Sequence, residues 1–362
     1  MAVLTAQRRT STESHQRSVL RYRPELDGLR ALAISAVVLF HFLPAPFRGG
    51  YLGVTLFFVL SGYLITSLLT HEHEETGTID RRAFYTRRAL RLWPALIVVV
   101  PILLALSLIV GHTFYTVHSL VVGAAASLVY LNDFVVAADH HLATDWFGAT
   151  WSLGVEEQFY LVWPLMLLYA LRRTSRKRLA LACAAIALTF AVADPFLFNA
   201  VGPLWLYYSP LGNIAPLMAG CALALYGRVH PHKVVWLVAL AIFLALTFVA
   251  KEATIYQSAW KGPVQLATLA SVALIAAIPV GGAIASASAV WLGKRSYSLY
   301  LAHPGSWQVL TNGLASSPAG IVALIGIPVS LLWADASYRL IERPFLKLKH
   351  HFERGRRPEV GA

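Results

Sequence analysis

Charged residues are scarce in this chain, and cysteine and methionine are scarcer still. Only 13% of the 362 residues are Asp, Glu, Lys or Arg, whereas 57% are hydrophobic, and the mean hydropathy is +0.60. Such a composition excludes an ordinary soluble domain and is typical of a protein with several membrane-spanning helices. The two cysteines, Cys183 and Cys221, lie in apolar segments, so they offer neither a disulfide framework nor a metal-binding pattern.

Acidic residues are fewer than basic ones, 18 against 30, which gives a net charge of +12. The basic residues gather in short segments between apolar stretches, which indicates cytoplasmic loops rather than a nucleic-acid-binding surface. No small-residue cleavage site follows the first apolar stretch, so we predict a cytoplasmic arm at the start of the chain and no signal peptide. The sequence also shows no evident repeat and no stretch long enough for a separate soluble domain.

The hydropathy pattern predicts an all-α fold, a polytopic bundle of about ten transmembrane helices plus one short re-entrant or interfacial segment. The predicted domains are a polar arm (1–25), a membrane domain (26–345) and a basic cytoplasmic tail (346–362). The predicted spans are 26–43, 52–69, 93–112, 151–171, 179–198, 205–226, 234–250, 263–280, 296–314 and 319–341.

One apolar stretch, 117–131, is only fifteen residues long. If it spanned, the basic loops 172–178 and 228–233 would lie on the side opposite the basic loop 81–91, against the positive-inside tendency. We therefore predict that it dips in and returns, which leaves both termini in the cytoplasm and the chain in the plasma (inner) membrane.

The first apolar stretch, PELDGLRALAISAVVLFHFL, carries an arginine and a histidine on one predicted helix. Arg30 and His41 are eleven residues apart, or three turns plus roughly 20°, so both project from one face about 16 Å apart along the axis. Ionisable side chains are costly in a membrane helix and usually face a polar interior. We interpret both as catalytic, His41 as a candidate base; the alternative is a structural histidine satisfied by a helix carbonyl.

A second cluster, RRAFYTRRALRLWP, follows the second span and is rich in arginine. Arg88 and Arg91 are three residues apart and share a helix face, and Arg87 adds charge beside them. Guanidinium groups bind phosphates through paired hydrogen bonds, so these three residues are assigned to an anionic co-substrate. The alternative is an ordinary positive-inside loop in contact with lipid headgroups.

A third cluster, TWSLGVEEQFYLVWP, begins the fourth span. Adjacent residues of a helix point about 100° apart, so at most one of Glu156 and Glu157 is expected to face a shared cavity. We assign Glu156 to catalysis and Trp151, Ser152 and Glu157 to substrate binding. The alternative is an interfacial aromatic belt with acidic residues in the headgroup region.

His303, in SYSLYLAHP, is a second intramembrane histidine. It is assigned to substrate binding, although Pro304 beside it makes a structural hydrogen bond to a freed carbonyl equally compatible with the sequence. The histidine pairs in 71–73 and 140–141 lack a complete ligand set, so we expect no metal and no permanently bound cofactor.

These motifs together resemble one family. The segments DGLRALAISAVVLFHF, FFVLSGYLI, FYTRRALRLWP, TWSLGVEEQFYLVWP, SYSLYLAHP and YRLIERPF are similar, in order and over 22–344, to acyltransferase family 3, the integral-membrane O-acyltransferases. The family's arginine-to-histidine motif falls on Arg30 and His41, and its arginine pair on Arg88 and Arg91. Family members usually carry serine where Gly154 stands. The resemblance is to the stand-alone form, without a following hydrolase-like domain.

The resemblance implies a function. Such a protein takes an acyl group, usually acetyl, from cytoplasmic acyl-CoA as co-substrate and transfers it to a hydroxyl, commonly on a sugar. The expected partners are acyl-CoA, a carbohydrate-containing acceptor and membrane lipids, not nucleic acid. A surface polysaccharide or its lipid-linked precursor is the first candidate acceptor and a glycosylated macrolide the second. A transporter or flippase would share the polar interior, and the sequence does not separate a general base from an acyl-carrying His41.

Overall fold

A computed structural model describes residues 22–110, 116–139, 142, 145–227, 230–254, 256–314 and 317–354. Within these ranges the chain is helical and contains no strand. The pair His140 and His141 and most of the predicted N-terminal arm lie outside the described residues. The helices are α1 (Pro24–Phe42), α2 (Leu52–Thr76), α3 (Arg81–Val110), α4 (Val117–Leu128), α5 (Asn132–Ala138), α6 (Thr150–Arg173), α7 (Arg176–Val201), α8 (Pro203–Tyr208), α9 (Pro210–Tyr226), α10 (Lys233–Val249), α11 (Pro263–Ala276), α12 (Ala287–Lys294), α13 (Ser296–Gly313), α14 (Ala319–Ser337) and α15 (Arg343–Arg354).

Five helical stretches in the described part of the chain are long and apolar enough to cross a membrane. They are α2, α3, α7, α8 with α9, and α14 continued through a π-helical turn (Tyr338–Glu342) into α15. The prediction of a helical, multi-spanning membrane protein is therefore confirmed, whereas the predicted count of ten spans is not confirmed. The other predicted spans are shorter, such as α10 with 17 residues and α11 with 14, or carry more charged residues, such as α1 with Glu25, Asp27 and Arg30.

The prediction of a basic loop at 81–91 is wrong, because this segment forms the first turns of α3. The side chain of Asp80 accepts a hydrogen bond of 2.9 Å from the backbone N–H of Ala83, which satisfies one of the free donors at the start of the helix. α3 runs on through Pro94 and Pro101 to Val110. Its arginines are consequently held on a rigid helix rather than on a mobile connection.

The segment predicted to be re-entrant contains a helix too short to cross a bilayer. α4 has 12 residues, about 18 Å at 1.5 Å per residue, whereas a hydrocarbon core is about 30 Å thick. The chain then turns at Tyr130, which has a φ of +57°, and enters α5. This geometry agrees with a segment that does not span.

Small residues of α2 bring its neighbours into close contact. A Cβ at Gly62 would lie 2.1 Å from the carbonyl oxygen of Leu217 in α9, and one at Gly53 would lie 2.3 Å from that of Ala33 in α1. Both distances are far below contact, so only glycine permits these approaches. α2 is consequently packed between α1 and α9, and its other face is turned toward α6, where the polar residues of the bundle meet.

Candidate active site

A cavity of about 70 Å³ lies inside the bundle, where α1, α2, α3, α6 and α13 meet. Its wall contains five of the residues predicted from the sequence, contributed by three helices. These are Arg30 of α1, Arg88 and Arg91 of α3, and Ser152 and Glu156 of α6. The fold thus brings these five residues, up to 126 positions apart in the sequence, around one cavity.

The three arginines of the cavity keep their guanidinium groups free of close ion pairs. None of the ion pairs found in the described ranges includes Arg30, Arg88 or Arg91. The guanidinium of Arg88 lies over the ring of Tyr160, 3.6 Å from its centroid. Its Nε atom is buried and has no hydrogen-bond partner within the described ranges. The positive charge of Arg91 is repelled chiefly by Arg30 and also by Arg88. Three cations crowded into one interior wall form a site suited to an anion.

Carboxylates lie near these arginines and partly balance their charge. Glu156 interacts with Arg88 and Arg30, and its Oε1 atom accepts a hydrogen bond of 2.7 Å from Ser61. Glu157 interacts electrostatically with Arg88 and Arg91 but is not part of the cavity wall. Its Oε1 atom is buried and has no hydrogen-bond partner among the described residues. As expected from their 100° separation, only one of the two glutamates faces the cavity, and it is Glu156.

The two intramembrane histidines lie against each other. The rings of His41 and His303 have centroids 4.8 Å apart and are inclined by 70°. The Nδ1 atom of each is close to the carbonyl oxygen four residues earlier on its own helix, 2.8 Å from Val37 and 3.1 Å from Leu299. Since a carbonyl only accepts, each Nδ1 carries the hydrogen and each Nε2 presents a lone pair.

Tyr300 joins the histidine pair to the cavity. It belongs to the cavity wall, its hydroxyl is 2.7 Å from the hydroxyl of Ser152, and its ring centroid is 5.6 Å from that of His303. His41 itself is not part of that wall. Arg30 therefore lines the cavity, whereas His41 lies outside its wall, and Tyr300 and His303 form the contacts between them.

Trp151 lies in an aromatic cluster rather than on the cavity wall. Its ring centroid is 4.9 Å from that of Tyr207, 5.3 Å from that of Tyr208 and 6.0 Å from that of Phe58. The cluster surrounds the start of α6, next to Ser152. Of the residues assigned to substrate binding, Ser152 lines the cavity, His303 contacts His41, and Trp151 packs beside them.

Arg87 is separated from the other predicted arginines. It points away from the cavity wall and pairs with Glu72 of α2, with 3.6 Å between Nη2 and Oε2. Arg87 and Arg88 are adjacent, so the helix turns their side chains about 100° apart. This explains why one lines the cavity and the other does not.

Several site residues were missed by sequence reasoning. Tyr160 and Tyr300 contribute to the wall, and the buried Glu342 interacts electrostatically with Arg91 and hydrogen-bonds to Ser298. The signal for Glu342 was an acidic residue inside the apolar segment YRLIERPF. Tyrosine is common in membrane helices, and nothing in its spacing distinguishes Tyr160 or Tyr300 from a packing residue.

A larger groove of about 660 Å³ runs along the surface formed by α7, α9 and α11. Its wall is built mainly of alanine and leucine, with Lys177 and Gln265 among its few polar residues. It lacks the arginines, histidines and carboxylates that gather in the interior cavity. The groove therefore has no group suited to acyl transfer, and the smaller interior cavity is the candidate active site.

Comparison with known proteins gives a family match over most of the chain. The family model described as an acyltransferase domain matches residues 23–339. The chain is 30% identical over 351 residues to peptidoglycan O-acetyltransferase OatA of Listeria monocytogenes, and 30% identical over 363 residues to the putative peptidoglycan O-acetyltransferase YrhL of Bacillus subtilis. It is 29% identical over 365 residues to a putative O-acetyltransferase of Staphylococcus aureus.

These alignments cover 90 to 91% of this chain but only 56 to 58% of the relatives, so the chain spans little more than half their length. No solved structure matches it.

Proposed function

The chain belongs to acyltransferase family 3, and on this premise we propose that it is a membrane O-acetyltransferase that moves an acetyl group from acetyl-CoA to a hydroxyl of a carbohydrate. The observation that carries the proposal is the junction of an arginine-rich interior cavity with a pair of imidazoles. The cavity suits an anionic donor, and the imidazoles supply bases for a hydroxyl.

The donor is proposed to bind by its phosphates. Arg88 and Arg91 lie 10 to 15 Å along α3 from its start, at 1.5 Å per residue, and Arg30 faces them from α1. Guanidinium groups without close ion pairs are well suited to bind the diphosphate of CoA. The thioester would then extend past Tyr300 toward His41.

The proposed topology places this entrance in the cytoplasm. Ten passages through the plasma membrane, with both termini inside, would put the start of α3 and the loops near 172–178 and 228–233 on the cytoplasmic side. CoA esters are made there, so the arginine-rich end and the donor would share a compartment.

His41 is proposed to be the central catalytic residue. Its Nε2 lone pair either removes the proton of the acceptor hydroxyl or attacks the thioester and carries the acyl group. Glu156, whose hydrogen-bond partners are Ser61 and Tyr160, is proposed to balance the arginine charges as the donor enters and leaves.

The proposed acyl group is acetyl. Similar proteins are named O-acetyltransferases. A long acyl chain passing through the cavity, whose volume is about 70 Å³, would require the aromatic wall of Phe57, Phe58 and Tyr300 to move apart.

The acceptor is proposed to be a surface polysaccharide or its lipid-linked precursor. Two similar proteins are named for peptidoglycan O-acetylation, and the aromatic cluster around Trp151 offers flat apolar faces for a sugar ring.

The test is consumption of acetyl-CoA by the purified full chain in lipid nanodiscs. We expect release of free thiol from acetyl-CoA by the wild-type protein and none by His41→Ala at an equal amount of monodisperse protein. Absence of thiol release by the wild type would favour a transport or flippase role. Normal release by His41→Ala would remove the catalytic assignment of His41.

A further inference from the structure

His303 is buried and has an unused nitrogen. It is 0% exposed, and its Nε2 atom has no hydrogen-bond partner in the described part of the chain. Leaving a buried acceptor unpaired destabilises the fold, and an apolar side chain at this position would avoid that cost. A packing role alone does not explain why a side chain with an unpaired nitrogen stands here.

The unused nitrogen belongs to a matched pair. His41 and His303 hold the same tautomer, each with its Nδ1 hydrogen donated to the carbonyl four residues earlier, and their rings are in edge contact. In the neutral form of each ring Nε2 then carries a lone pair, and the two rings are in contact. With two basic nitrogens side by side, one can bond to the acyl group while the other accepts a proton.

We propose that His41 carries the acyl group and that His303 is the base that removes the proton of the acceptor hydroxyl. This inference rests on the proposed function, since it takes acetyl-CoA as donor and His41 as the residue that meets the thioester. It selects the covalent route over the route in which His41 alone acts as base.

The proposed transfer has two steps, acylation of His41 and transfer of the acyl group to the acceptor. Nε2 of His41 attacks the thioester carbon, the carbon–sulfur bond breaks, and the sulfur leaves with the electron pair as a thiolate. The acceptor oxygen then attacks the acyl carbon while its proton moves to Nε2 of His303. The carbon–nitrogen bond to His41 breaks, and its electron pair returns to Nε2. His303 finally gives the proton to the CoA thiolate, so a thioester and an alcohol become an ester and a thiol.

A second base is needed because an acylated imidazole has no free lone pair on the nitrogen that holds the acyl group. While His41 is acylated, its Nδ1 hydrogen is held by Val37, so the ring cannot accept the acceptor's proton. His303 is the titratable group in ring contact with His41. The hydroxyl of Tyr300, on the same helix as His303, lies at Ser152 on the cavity wall, and the Tyr300 ring is 5.6 Å from that of His303. His303 thus lies beside the proposed path of the thioester.

The experiment compares two nucleophiles that differ in their need for a base. Purified full-length protein in nanodiscs is given acetyl-CoA with both glycerol and hydroxylamine, and acetylglycerol and acetohydroxamate are quantified. Glycerol must lose a proton to a base, whereas hydroxylamine attacks an acyl-imidazole without one. Hydroxylamine also reacts directly with acetyl-CoA, so the acetohydroxamate formed in a protein-free reaction is subtracted throughout. The ratio of the two remaining products then reports on protein that is folded and acylated.

We expect His303→Asn to lower the ratio of acetylglycerol to acetohydroxamate by 10²- to 10⁴-fold, the usual contribution of a general base. Acetohydroxamate formation should stay within a few-fold of wild type, and His41→Asn should form neither product. His303→Gln is tested alongside, in case one replacement disturbs packing.

An unchanged ratio in the His303 variants would overturn the proposal. Loss of both products in both variants would also overturn it, because His303 would then serve the first step or the fold. If wild-type protein formed neither product, the proposed function itself would fail, and this outcome differs from the other two.

Discussion

The strongest test of the arginine cavity is a comparison of two neighbouring residues of α3. Arg88 lies on the cavity wall, whereas Arg87, one position earlier, lies outside it and pairs with Glu72. Replacing each by Gln removes one positive charge from the same helix turn. Only the Arg88 change removes it from the proposed binding site of the CoA phosphates.

The expected size follows from the bonds involved. A hydrogen bond to a charged group contributes about 1.5–3 kcal/mol, and each 1.4 kcal/mol is tenfold in affinity. Arg88→Gln should therefore raise the KM for acetyl-CoA by roughly 10- to 150-fold. Arg87→Gln loses only one partly buried and rather long ion pair, 3.6 Å between its atoms and worth about 0–1 kcal/mol, and should change KM less than about fivefold.

The assay is thiol release at varied acetyl-CoA concentration, with kcat and KM determined separately. Arg88→Lys keeps the charge but loses the paired geometry and the stacking on Tyr160, so it should fall between wild type and Arg88→Gln. Equal KM values for the Arg87 and Arg88 variants would refute the reasoning, because the cavity would then have no special part in donor binding.

The remaining predictions concern other parts of the bundle. Removal of the hydroxyl in Ser61→Ala deprives Glu156 of its 2.7 Å hydrogen bond and should lower kcat/KM by about tenfold, the equivalent of about 1.4 kcal/mol; an unchanged value would show that this bond has no role in the reaction. In Gly62→Ala the new methyl group would lie 2.1 Å from the carbonyl oxygen of Leu217, so α2 and α9 must separate and stability should fall by about 1–3 kcal/mol. The matched change Gly320→Ala meets no atom within 4 Å and should leave the melting temperature in nanodiscs unchanged or slightly raised.

Much of the site could be predicted because charge is conspicuous in an apolar helix. Arg30, Arg88, Arg91 and Glu156 each interrupt a hydrophobic run, and a buried ionisable side chain in a membrane has few favourable surroundings other than a shared polar interior. Their convergence therefore followed from hydropathy and helical phase. The 100° rotation that separates Arg87 from Arg88 could be assigned to the cavity only with the start and register of α3, which hydropathy placed twelve residues too late.

The partners of those charges could not be predicted, because tyrosine and serine are tolerated almost anywhere in a membrane helix. Tyr160 and Tyr300 become site residues only through contacts across helices, one as the surface under Arg88 and the other as the link to His303. The contact between His41 and His303 is of the same kind, since 262 residues separate the two rings. The sequence predicts an apolar span around each histidine, but only the packing of the helices brings the two rings into contact. This contact has a chemical consequence. The Nε2 atom of a single imidazole cannot hold an acyl group and accept a proton at the same time, whereas two imidazoles in contact can do both.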